Sequence, residues 1–134
     1  MAGYSSTPLP KKLGLAPGMR MLVVGAEVPY EALVGPLPEG ARRYSRVVGG
    51  LDFAHVFVTR RARLAERLPR IRARLAPAGM IWVSWPKRAA QVETDVTEDV
   101  VRAEALPLGL VDVKVCAVDE VWSGLKLVIR RELR

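Results

Sequence analysis

Three short, unbroken apolar runs constrain this chain more than any other feature: RMLVVG at Arg20 to Gly25, LDFAHVFVT at Leu51 to Thr59, and MIWVSW at Met80 to Trp85. A strand with one wet face alternates apolar and polar residues, whereas a strand buried on both faces reads as a continuous run. Strands of the second kind belong to parallel sheets covered by helices on both sides, and the intervening segments carry helical patterns. Pro29 suits the first turn of a helix, and YEALVG then predicts about two turns ended by Gly35 and Pro36. Ala41 to Val48 is a weaker, basic strand candidate, set off by Gly49 and Gly50.

Leu64, Leu68, Ile71 and Leu75 form one apolar seam at helical spacing, with Pro69 expected to kink the helix or divide it, and LAPAG expected to stop it. Pro86 ends the third run, and a polar loop follows. Thr97 is placed as the N-cap of a helix running through Leu106, with acids in its first turn, and Pro107 and Gly109 terminate it. Leu110 to Val118 and Leu125 to Arg131, joined by residues 119–124, predict a closing antiparallel hairpin. The 134 residues suit one domain, 19–134, preceded by a proline-rich arm over 1–18. In the arm, one helical turn is expected around Lys11 to Leu13, and GYSSTPLPKK is a candidate lid.

No apolar run is long enough to cross a bilayer, the first residues lack a secretory pattern, and Cys116 is the only cysteine, so the expectation is a cytoplasmic protein. Arginine outnumbers lysine, a bias that fits a GC-rich bacterial genome or a heat-adapted one. The net charge of +7 is concentrated in one element: Arg60, Arg61, Arg63, Arg67, Arg70, Arg72 and Arg74 face Glu66 alone. Arg63, Arg67, Arg70 and Arg74 follow one flank of the leucine seam. They are candidates for binding phosphate, although sparse aromatics and a non-basic outward face of Ala62, Glu66 and Ala73 fit a solvated flank better than a nucleic-acid groove.

A helix ending in LAPAG, the strand MIWVSW, another helix and a two-strand hairpin together resemble the second half of the class I S-adenosylmethionine-dependent methyltransferase fold. The strings GYSSTPLPKKLG, FVT, LAPAGMIWVSWPK, TEDVVR, LGLVDVKVCAVDEVWSGLK and VIRREL also resemble a family of short bacterial proteins described as a domain of unknown function. The first resemblance implies a shortened, Rossmann-like, mostly parallel α/β sheet with helices on both faces and a C-terminal antiparallel hairpin. It also implies a glycine-rich turn after the first strand and an acid after the second to hold the cofactor ribose. Here the turn reads AEVPYEALVG after Gly25, and 41–51 holds arginines without Asp or Glu, so the standard motif for S-adenosylmethionine is absent.

Ligands of open α/β sheets bind beyond the carboxyl ends of the strands. That rule selects Glu27, Thr59, Trp85 and Lys87, and the methyltransferase shape would bring Asp119, Trp122 and Ser123 to the same end, with Trp85 and Trp122 flanking a shared rim. His55, inside an apolar strand, reads as a hydrogen-bonded core histidine, and Cys116 as a structural thiol without a basic neighbour. Ser84 and Ser123 lack a nucleophile elbow, and no metal site is expected.

The leading functional reading is a non-enzymatic or regulatory binding domain for a small molecule or a protein partner. One alternative is an enzyme binding S-adenosylmethionine or a nucleotide through a non-standard site, with Trp85 or Trp122 stacking on the ring. Another is a nucleic-acid-associated protein. Whether the chain catalyses a reaction, and whether it forms an oligomer, are left open.

Overall fold

A computed structural model describes residues 7–134, so Gly3 to Ser6 of the expected lid lie outside the described residues, while Thr7 to Lys12 lie within them. Six strands form one sheet: β1 (Arg20–Val24), β2 (Arg42–Tyr44), β3 (Leu51–Phe57), β4 (Leu75–Pro86), β5 (Leu110–Ala117) and β6 (Trp122–Ile129). Their spatial order is β2-β1-β3-β4-β6-β5. The first four are parallel, and β6 pairs antiparallel with both β4 and β5. The mostly parallel sheet with a terminal hairpin is therefore the observed architecture.

Helices α1 (Leu9–Leu13) and α2 (Tyr30–Val34) cover one face, and α3 (Arg61–Arg74) and α4 (Glu98–Ala105) cover the other. Side-chain alternation along β3 and β4 divides the core accordingly. Ala54, Val56, Ile81 and Val83 meet Leu64, Leu68 and Ile71 of α3 and Val101 of α4. Phe53, Phe57 and Trp82 meet Leu13, Tyr30 and Val34 on the opposite side. Each fully buried large aliphatic contributes about 1.5–3 kcal/mol, so the three-residue seam of α3 is enough to dock a helix whose other faces are charged. The arm is part of this core: Leu13 is buried, and the Trp82 indole Nε1–H donates to its carbonyl at 2.9 Å.

Four local expectations need correction. Helix α3 runs undivided through Pro69, whose exposed position leaves the lost backbone bond on the solvent side. The LAPAG segment stops helix α3 as expected, but Leu75 belongs to the following strand rather than to the helical seam. That residue opens β4, because it pairs with Leu51 before an irregularity restores register at Phe53 and Met80. Helix α2 has only five residues, less than the two turns expected. Strand β6 begins at Trp122, so the hairpin loop is shorter than 119–124.

Only residues 45–50 separate β2 from β3, too few for a further strand and helix. The three-residue β2 therefore forms one edge of the sheet, and β5 forms the other. No described helix is long and apolar enough to cross a membrane.

Candidate functional site

The parallel pairings put Glu27, Thr59 and Lys87 at one end of the sheet, beyond β1, β3 and β4. The antiparallel pairing of Pro86 with Trp122 brings the loop before β6 to that end as well. The seven residues selected from the sequence thus share an end of the sheet, but they do not share a cavity. Trp85 packs into the α3–α4 core and Trp122 into the α1–α2 core, so the two indoles point to opposite faces and do not flank a common rim. Trp122 sits edge-on to Phe57 at 5.2 Å. Trp85 lines a cleft of about 400 Å³ with Pro86, Arg88, Val92, Thr94, Val96 and Thr97.

Several of the selected residues have structural duties. One carboxylate oxygen of Asp119 accepts the backbone N–H groups of Val121 and Trp122, at 2.8 and 2.7 Å, and thereby fixes the hairpin loop. The Thr59 carbonyl accepts the Thr94 hydroxyl at 2.7 Å and tethers the loop after β4. The Lys87 N–H donates to Val121 O at 2.7 Å. Glu27 is exposed and Ser123 half-buried.

His55 and Ser84 are fully buried, and His55 Nε2 lies 2.7 Å from Ser84 Oγ while Nδ1 lies 2.7 Å from the Tyr30 hydroxyl. Burial lowers the His55 pKa to about 3 and raises that of Tyr30. The imidazole is neutral, donating from one nitrogen and accepting at the other. A phenol occupies the position a triad would give to a carboxylate, and the group is sealed from any substrate, so it is a core network rather than a hydrolase centre.

The arginines of α3 and its N-cap do not act as one set: Arg72 Nε donates to the Leu108 carbonyl at 3.0 Å, and the exposed Arg74 stands apart from the candidate anion-binding residues Arg67 and Arg70. Arg60 pairs with Glu93 at 2.9 Å, Arg61 with Glu104 at 2.8 Å and Arg63 with Glu66 at 3.4 Å, all on exposed surface. Arg67 and Arg70 instead turn toward the segment after β2. With Arg46, Ser45, Val47 and Glu66 they surround a cleft of about 260 Å³ over Leu22, Val24 and Ile71. Among the described residues, no carboxylate forms an ion pair with Arg46, Arg67 or Arg70. Arg46 was missed in the sequence because only the fold sets it against α3.

This cleft opens at the carboxyl ends of β1 and β2, where the resemblance places a cofactor, and its residues do not fit S-adenosylmethionine. The sulfonium is positive, whereas three arginines line the cleft against a single carboxylate, Glu66, which already pairs with Arg63 at 3.4 Å. Gly25 has φ +82°, and a Cβ there would lie 2.2 Å from the Phe57 carbonyl oxygen. The one glycine of the turn thus serves contact with the chain's own β3 end. Among the described residues, no group of three or more His, Cys, Asp or Glu converges as a metal site would.

No family model matches the sequence, and no curated protein matches it. Solved structures do match in shape. An S-adenosylmethionine-dependent methyltransferase from Aquifex aeolicus superposes with a TM-score of 0.59 at 17% identity, over 89% of this chain and 87% of that one. Fibrillarin from Aeropyrum pernix, with natively bound S-adenosylmethionine, gives 0.57 at 17%, over 94% and 70%. A pericyclic reaction enzyme gives 0.59 at 12%, over 92% and 47%. One fold thus spans different chemistries. What this chain has in common with all three is a methyltransferase-like α/β fold, here closed by the antiparallel set β4-β6-β5.

Proposed function

We propose that this chain is a binding domain on a methyltransferase-like scaffold, and that the cleft framed by Arg46, Arg67 and Arg70 takes a small phosphate-bearing ligand with an apolar or planar body. The observation that carries the reading is the set of three guanidinium groups, free of carboxylate partners among the described residues, around an apolar floor of Leu22, Val24 and Ile71. Guanidinium forks match phosphate oxygens bidentately, and the half-buried Arg67 is pre-positioned by α3. The same charges oppose a sulfonium ion. The lining offers three positive charges against the one carboxylate of Glu66, together with apolar surface, and this excess of cationic groups favours recognition of an anion.

Thermal unfolding with AMP, ATP, S-adenosylmethionine and S-adenosylhomocysteine tests this directly. A ligand that binds only the folded state adds roughly 2.7 kcal/mol at a hundred times its Kd. The nucleotides are expected to raise Tm, less so at high salt, and Arg67→Ala or Arg46→Ala is expected to abolish the shift. S-adenosylmethionine is expected to leave Tm unchanged. A shift with S-adenosylmethionine or S-adenosylhomocysteine that persists in Arg67→Ala, with none from nucleotides, would overturn the reading in favour of a cofactor-binding enzyme. Displacement of ATP by mixed-sequence RNA would transfer the cleft to nucleic acid.

A further inference from the structure

The free edge of β5 carries a second basic feature, on different elements from the arginine cleft. A groove of about 450 Å³ lies between the arm and this edge, lined by Thr7, Lys11, Lys12, Lys114, Val115, Cys116 and Ala117. Its β5 wall consists of four consecutive residues. Successive side chains of a strand point to opposite faces of the sheet. A cavity touched by all four must therefore run along the strand's edge, where the outward backbone N–H and C=O groups lie. Among the described residues, strand β5 has β6 on one side and no strand on the other.

The charge here is selective. The chain uses sixteen arginines but five lysines, and four of those five gather in this region: Lys11 and Lys12 on α1, Lys114 on β5, and Lys126 directly opposite Lys114 on β6. Like charges paired across strands are destabilising, and among the described residues no carboxylate forms an ion pair with any of the four. The Lys114 ammonium donates to the Lys12 carbonyl at 3.3 Å, which ties the two walls together. Val113 and Val115 stand 54% and 50% exposed on the same edge.

From this we infer that the groove receives an extended acidic segment of a partner protein, which adds to β5 as a seventh strand. Backbone pairing supplies the register, Val113 and Val115 supply apolar contact, and Lys11, Lys12 and Lys114 select carboxylates. A second copy of this chain is disfavoured by the same lysines, since pairing β5 with itself would juxtapose like charges, and the bulge at Val113 further blunts self-association.

Fluorescence anisotropy with a labelled heptapeptide alternating glutamate and valine tests the inference, alongside a lysine–valine peptide and a glutamate–valine peptide with a central proline. The acidic peptide is expected to bind, at least tenfold more weakly in 300 mM than in 50 mM salt, and to slow amide exchange across residues 111–117. Lys12→Glu, at a half-buried position, and Lys114→Glu, at an exposed one, are expected to weaken it tenfold or more while circular dichroism shows the native fold retained, and the proline peptide is expected to fail. The inference is overturned by no binding at 1 mM, by equal binding of the proline peptide, or by binding without β5 protection. Displacement by pyrophosphate with β5 still unprotected would likewise reduce the groove to a simple anion site.

Discussion

The Tyr30 hydroxyl lies 2.7 Å from His55 Nδ1 inside a sealed core, and the far nitrogen of that ring lies 2.7 Å from Ser84 Oγ. This network makes stability depend on pH in a definite direction. Burial lowers the folded-state pKa of His55 to about 3, from an ordinary value of 6.5. Between those values the unfolded chain binds a proton that the folded chain refuses, so stability falls as the pH drops from about 6.5 toward 3. The slope approaches about 1.4 kcal/mol per pH unit, and this group has no effect above neutrality. Urea midpoints between pH 7.5 and 4.5 should fall along that slope. In His55→Gln the slope over the same range should flatten, whatever the variant's absolute stability.

Gly25 should tolerate alanine worse than Gly18 does. Both have positive φ, +82° and +76°, so each substitution costs about 1–2 kcal/mol of left-handed backbone strain. At Gly18 a Cβ meets nothing within 4 Å, whereas at Gly25 it would overlap the Phe57 carbonyl oxygen at 2.2 Å. Chemical denaturation should show Gly25→Ala losing at least about 2 kcal/mol more than Gly18→Ala, because backbone atoms at the end of β3 must move. Equal losses would mean that the turn after β1 has room to spare, as a ligand-cradling turn would.

Asp119 separates a structural role from a ligand-binding one. Its single oxygen holds two backbone N–H groups of the hairpin loop, so Asp119→Ala should cost about 1–3 kcal/mol. Asp119→Asn keeps an acceptor oxygen and should recover most of that loss. Nucleotide-induced Tm shifts should be the same in both variants as in the native chain. A shift lost in Asp119→Asn at native stability would return the carboxylate to the list of ligand contacts.

What could be read from the sequence follows burial. Met21 to Val23, Phe53 to Val58 and Ile81 to Trp85 announced themselves because residues covered on both faces leave no polar alternation. The N-cap at Thr97 was equally legible, since its hydroxyl accepts the Val100 N–H within one turn, at 3.2 Å. Relationships set by register were not. Trp85 and Trp122 lie at the same end of the sheet, but the pairing of Pro86 with Trp122 assigns them to opposite faces. Leu75, expected to close the helical seam, instead enters β4, where it pairs with Leu51. The expectation of no basic neighbour for Cys116 overlooks Lys114, two residues before it on β5, while Lys12 is a hundred residues away in sequence and only the fold brings it near. In the fold, burial raises the Cys116 pKa while Lys12 and Lys114 oppose the rise.

Pro69 is the place where a local rule and the observed helix disagree most sharply. Within Arg61–Arg74 it removes one backbone donor and crowds the carbonyl of Ala65, a penalty of up to about 3 kcal/mol in a helix interior. Helix α3 nonetheless stays whole, since Leu64, Leu68 and Ile71 are buried on the inner side while Pro69 and Ala65 face solvent. Tertiary packing thus offsets a cost that nothing on the exposed side requires. Pro69→Ala should raise the denaturant midpoint, and Pro69→Gly should raise it less, because glycine restores the donor but adds unfolded-state entropy. Circular dichroism should report the same helix content in all three chains. A lower midpoint for Pro69→Ala would show that α3 needs a bend at this residue to lay Arg67 and Arg70 beside the segment after β2, and nucleotide-induced Tm shifts should then weaken in the same variant.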